Sequence, residues 1–221
     1  MSQITALIIF VAFLAYIAYQ GMKNFQLRSL NMSIRKKDFD TVHKMADMAT
    51  TRKFLGDYTC DLYQLRAYYL ADDMSNFETK LKEMTKKDYP NNQDKKTFLE
   101  QYYHRFLIRK DREHAKLLLE QIKYLGDDFF TAYNEQAFYV MLDKSTDFIQ
   151  PIIDEINSKK YYGFPLGVML FMLAKQYEYL GDTENAQTYY ENSKVCFHPK
   201  AIYVPVIEEI VKNNANRGDI S

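Results

Sequence analysis

The side chains of this chain best suited to proton transfer, nucleophilic attack or metal ligation are four histidines and two cysteines: His43, His104, His114, His198, Cys60 and Cys196. None is spaced for that work. A helical zinc motif needs two histidines one turn apart on a single face, and the stretch REHAK, from Arg112 to Lys116, supplies only His114. Cys60 and Cys196 stand 136 positions apart with no close partner, so neither a zinc site nor a disulfide framework is indicated. Both are expected to be free thiols. No glycine-rich phosphate loop is present, and no histidine stands in a recognisable relation to a nucleophile. The sequence therefore leads to the expectation of no catalytic, cofactor or metal site, no small-molecule substrate, and work of another kind.

Composition narrows that work. Twenty-nine Lys and Arg balance twenty-nine Asp and Glu, so no global charge excess points to nucleic acid. Hydrophobic residues make up 47% of the 221 and aromatics 15%, enough for a packed core. Glycine and proline are few, and Val, Ile and Thr do not gather into alternating runs, which argues for helices over sheets. The many tyrosines and phenylalanines, including the pairs Tyr68–Tyr69, Tyr102–Tyr103 and Tyr189–Tyr190, fall at helical spacing and are expected to fill space between helices, not to stack on bases.

Residues 1–22 carry no charged side chain, and ITALIIFVAFLAYIAY from Ile4 to Tyr19 is apolar on every face. With its uncharged flanks this segment reaches the length of a transmembrane helix. A cleaved secretory signal would open on Lys or Arg and close on small residues. This one opens on MSQ and closes on AYQGMK, so an uncleaved single-pass anchor is expected. Lys23, Arg28, Arg35, Lys36 and Lys37 follow the apolar run and no cation precedes it, which places the N-terminus outside and the remainder in the cytoplasm.

That remainder repeats. In the segment from Leu170 to Pro199, Leu170, Leu173, Ala174 and Tyr177 form one face of a first helix and Gly181 with Asp182 makes a turn. Ala186, Tyr190 and Ser193 form one face of a second helix. The same offsets, counted from polar residues able to cap a second helix, select Val42, Ala46 and Ala49 after Asp38, and Phe77, Leu81 and Met84 after Asp73. They select Ala115, Leu119 and Ile122 after Asp111, and Ile149, Ile153 and Ile156 after Ser145. The anchors lie 35, 38, 34 and 37 residues apart. First-helix positions recur too, with Leu30, Leu65, Tyr103, Ala137 and Ala174 where the two helices of a pair must approach closely. From Gln26 to Pro199 the pattern resembles the tetratricopeptide repeat, whose period is about 34 residues. It departs from that family at Ser29 and Ser33, which stand where large apolar residues are usual, and at Pro151, which requires the second helix of the fourth pair to begin near Gln150. The fold expected is all-α: an N-terminal transmembrane helix over 1–22, and an α-α superhelix of about five helix pairs over 23–213. The stretch from Pro199 to Asn213 forms a capping helix docked through Ile202, Val206 and Ile210, and 214–221 is a flexible tail.

The resemblance implies a concave groove lined by first helices that holds a protein or peptide. The positions that face inward in the family are Leu62, Arg66 and Tyr69 in the second pair, Glu100, His104 and Leu107 in the third, Asn134, Phe138 and Met141 in the fourth, and Phe171, Lys175 and Glu178 in the fifth. The set of Lys, Arg and Asn residues with which some members hold a C-terminal carboxylate is incomplete here. The expected function is a membrane-anchored adaptor or scaffold for a protein partner, with no nucleic acid. The alternative is a receptor or regulator of the same type that senses a peptide or precursor polypeptide.

Overall fold

The structure is a computed structural model and describes residues 3–218, apart from the side chains of residues 6, 92 and 215–218. Among the described residues there are twelve helices and no strand. They are α1 (Gln3–Lys36), α2 (Phe39–Asp47), α3 (Ala49–Leu55), α4 (Asp57–Leu70), α5 (Met74–Lys86), α6 (Asn92–Arg109), α7 (Arg112–Tyr124), α8 (Asp128–Asp143), α9 (Ile149–Asn157), α10 (Gly163–Leu180), α11 (Thr183–Cys196) and α12 (Tyr203–Gly218). The apolar residues of the first part of α1 are exposed, and the stretch Gln3–Arg35 is long and apolar enough to cross a membrane. Compact packing divides the chain into two units, residues 1–98 and 99–221.

One turn recurs along the chain. Lys37, Asp72, Lys110, Lys144 and Gly181 each take a left-handed backbone conformation, with φ of 58°, 59°, 58°, 55° and 79°. The residue after each is one of the five anchors. In four of the five turns its amide N–H bonds back five residues: Asp38 to Ser33 O at 2.9 Å, Asp73 to Tyr68 O at 3.0 Å, Asp111 to Phe106 O at 2.9 Å and Asp182 to Tyr177 O at 2.9 Å. This is the six-to-one bond that closes a helix in the Schellman motif. The same four aspartates then cap the next helix, each carboxylate accepting from the amide three residues on: Thr41, Asn76, His114 and Asn185. Behind these caps the expected packing positions are buried: Val42 and Ala46; Phe77, Leu81 and Met84; Ala115, Leu119 and Ile122; Ala186, Tyr190 and Ser193. The chain is thus a series of helical hairpins built on one turn.

Four details differ from the sequence reading. Ala49 opens the short helix α3, which the period did not anticipate, and is exposed. In the fourth hairpin Ser145 is engaged in the turn, exchanging hydrogen bonds with Asp147, so α9 starts only after Phe148. Its fully buried residue is Ile152, while Ile149, Ile153 and Ile156 are half-buried. Pro151 falls in the first turn of α9, where a missing N–H costs nothing. Helix α12 docks through Tyr203, Val204 and Ile207, one position out of phase with Ile202, Val206 and Ile210. It runs through Gly218, so only 219–221 of the expected tail lie outside the described residues, as do residues 1 and 2 of the expected anchor.

In the first unit Leu30 and Ile34 of α1 join Val42, Ala46, Leu55, Cys60 and Ala67 in one apolar cluster. The later part of α1 is therefore core, although its earlier part is bare. Beside the cluster Asp61 on α4 is fully buried and accepts from Lys80 Nζ at 2.9 Å, Lys87 Nζ at 2.8 Å, Tyr89 Oη at 2.9 Å and Arg52 Nη2 at 3.1 Å. Burial alone would raise its pKa, but the hydrogen bonds from Lys87, Lys80 and Tyr89 prevail and hold the carboxyl down at about 2. One carboxylate thus ties α3, α4, α5 and the loop after α5.

In the second unit α10 and α11 pack most closely. Small residues allow it: Gly167, Ala174, Ala186 and Ser193 are buried, and Ser193 Oγ donates to Gly167 O at 2.8 Å. A β-carbon at Gly167 would stand 2.6 Å from the ring of Phe197, which is stacked on Tyr203.

Replacing Asp61 leaves three cations and a tyrosine without their common acceptor, so Asp61→Asn is expected to cost about 3 kcal/mol or more in chemical denaturation. Because the folded pKa lies below the unfolded 3.8, this stabilisation is full above that pH and is lost as the pH falls through about 2. The variant's stability should therefore fall less steeply than the wild type's between those values.

Candidate binding site

Of the twelve residues expected on the groove, eleven fall into three groups and Phe138 stands apart. In the first unit Leu62 is half-buried, Arg66 is exposed, and Tyr69 is buried with its ring 5.8 Å from that of Phe77. In the second unit Glu100, His104 and Asn134 are drawn into the interior, whereas Leu107, Met141, Phe171, Lys175 and Glu178 line one open cavity. Phe138 is buried beneath the guanidinium of Arg112, 5.1 Å from its ring centroid.

The interior group is closed from above by α12. Tyr203 places its hydroxyl 2.7 Å from His104 Nδ1 and 3.6 Å from Met141 Sδ, and its ring packs against Phe171 at 4.8 Å. It therefore touches α6, α8 and α10 at once. Burial pushes His104 down to about 3, which keeps the ring neutral. Tyr103 Oη donates to Asn134 O at 2.6 Å, and Asn134 Nδ2 donates to Phe130 O at 2.7 Å. Tyr133 donates its hydroxyl to Glu100, whose carboxyl burial raises to about 7. These groups bond to one another inside the fold and have no access to solvent through His104 or Asn134, both fully buried.

The cavity is different. It has a volume of about 490 Å³ and is walled by α6, α8 and α10, the turns that follow α6 and α8, Arg112 at the start of α7, and Val206 of α12. Its apolar wall comes from Leu107, Met141, Leu142, Phe171 and Val206, and its polar groups are Lys110, Arg112, Lys144, Lys175 and Glu178. Arg112 is paired with Asp143, and Lys175 Nζ lies 3.0 Å from Glu178. Glu178 also accepts from the hydroxyl of Tyr190. A volume of this size, with apolar and charged side chains in comparable measure, is large enough to admit part of a polypeptide chain.

Lys110, Arg112, Lys144 and Val206 were not among the groove positions expected from the family pattern. The two lysines were nevertheless within reach of sequence reasoning, since each immediately precedes an anchor, Asp111 or Ser145, and so holds the same place in consecutive hairpins. The remaining histidines are engaged locally: His114 Nδ1 with Asp111 Oδ2 at 2.8 Å, His198 Nδ1 accepting from Lys200 N at 3.2 Å, and His43 with its ring tilted against that of Tyr68, centroids 4.2 Å apart. Compared with known proteins, the chain matches no family model, no curated protein and no solved structure.

Since the folded pKa of Glu100 is raised from 4.5 to about 7, its ionisation destabilises the fold progressively across that range. Glu100→Gln keeps an acceptor for Tyr133 and cannot ionise. It is expected to melt with the wild type at about pH 4, below the unfolded value, and above it at about pH 8, as read by circular dichroism.

Proposed function

We propose that the chain is a membrane-anchored adaptor of tetratricopeptide type that holds a segment of a partner protein in the second unit. The reading is carried by one observation: five residues selected from the repeat pattern alone, Leu107, Met141, Phe171, Lys175 and Glu178, from the first helices of three consecutive hairpins, line one open cavity. Its apolar wall, set beside charged side chains on three consecutive hairpins, suits it to hold a polypeptide segment. Binding is therefore the work that fits it. The apolar start of α1 supplies the anchor. By the distribution of Lys and Arg, the N-terminus stands outside and both units in the cytoplasm. Anchoring concentrates whatever is bound at the membrane face.

Two measurements test this reading. A photoreactive phenylalanine derivative replacing Met141 is expected to give discrete protein adducts on irradiation of native membranes, while the same residue replacing Val195, exposed on α11 and away from the cavity, gives none. Equal labelling from both positions, or adducts from neither, removes the adaptor assignment. For orientation, Ser221→Cys in a Cys196→Ser background should react with a membrane-impermeant maleimide only after permeabilisation. Reaction in intact cells would invert the topology.

A further inference from the structure

The charges around the cavity are unevenly matched. Of its four cations, Arg112 is committed to Asp143 and Lys175 to Glu178, and Glu178 is the only acid in the lining. Lys110 and Lys144 have no ion pair among the described residues, and both are exposed. They sit at the left-handed position of two successive hairpins, with φ of 58° and 55°. That position favours glycine, because a β-carbon is strained there, and Gly181 fills it in the last hairpin. A cation after the last turn of a helix also meets the negative end of the helix dipole, which suits lysine to either site. Neither effect, however, requires the two lysines to come together in the lining of one hollow.

From this convergence we infer that the cavity takes an acidic segment of a partner polypeptide that also carries bulky apolar side chains. The inference rests on the adaptor reading and specifies its ligand. Two uncompensated cations beside a low-dielectric wall concentrate positive potential at the mouth, which favours carboxylates and speeds their arrival. The wall formed by Leu107, Met141, Leu142, Phe171 and Val206 stays wet under a purely anionic ligand. It is covered only when apolar side chains enter with the charges. Because the two lysines belong to consecutive repeats, the complementary ligand presents its acids at intervals along an extended or helical chain, and a polypeptide does this naturally.

The test uses the full chain in dodecyl maltoside and a rhodamine-labelled peptide amide, Glu-Asp-Phe-Leu-Asp-Glu-Leu-Phe-Glu, which has no terminal carboxylate. Two companions carry Lys in place of every acid, or Ser in place of Phe and Leu. Fluorescence anisotropy is expected to show the acidic apolar peptide binding at least about tenfold more tightly than either companion, and more weakly as salt is raised. The double variant Lys110→Gly with Lys144→Gly is expected to lose about tenfold in affinity while its helicity and melting temperature stay unchanged or rise, since glycine is at ease in this turn. Equal affinity for the lysine companion, or undiminished affinity in the double variant, overturns the inference. So does saturable binding of decanoate with no binding of any peptide, which would make the site one for a small amphipathic anion. If the Met141 adducts form but none of the three peptides binds, the acidic ligand is wrong and the adaptor reading survives. Loss of both removes both.

Discussion

Among the described residues, four of the five hairpins are reversed by two adjacent residues with opposite duties, one that closes a helix by turning left-handed and one that opens the next. In four of the five turns that second residue is an aspartate, used twice: its amide satisfies a carbonyl of the helix behind and its carboxylate satisfies an amide of the helix ahead. Orphaned backbone groups at helix ends are costly to bury, and here two ends are satisfied within two residues. The turn therefore fixes the phase of each second helix relative to its first, and that phase decides which side chains are buried. The cavity inherits its geometry from the same source, because two of its turns hold Lys110 and Lys144 at equivalent positions.

This is also why so much of the fold was legible in the sequence. An aspartate followed by small and bulky apolar residues at offsets of one helical turn is a local signal, and it located the caps at Asp38, Asp73, Asp111 and Asp182. It failed at Ser145 for an equally local reason. Serine can satisfy a turn with its own side chain, and once Ser145 and Asp147 had bonded to each other the helix was free to begin later. The short helix α3 escaped because the interval from Asp38 to Asp73 is a normal repeat length and gives no sign that an extra helix divides it.

The candidate site was legible only in part, since helical phase says which face a residue occupies but not what else lies on that face. His104 shares a phase with Leu107 and Met141, yet it is closed off by Tyr203, which arrives from 99 residues away in the sequence. No periodicity within the repeats foretells that approach. The network around Asp61 was hidden for the same reason: Arg52, Lys80, Lys87 and Tyr89 are scattered in sequence and are gathered only by folding. A carboxylate in a repeat rich in charged residues looks like surface until its neighbours are known.

Helix α1 is continuous from Gln3 to Lys36, about 51 Å at the usual rise per residue, and it changes character without a break. Its first half is bare and apolar, while Gln26, Leu30 and Ile34 in its second half are buried in the first unit. Tyr19 already touches that unit, its ring 5.3 Å from Phe54. With the apolar half embedded in a bilayer, as proposed, the first unit is joined to the lipid by a stiff rod instead of a leash. Any tilt or rotation of the embedded half is then passed directly to that unit as torque, with no slack to absorb it.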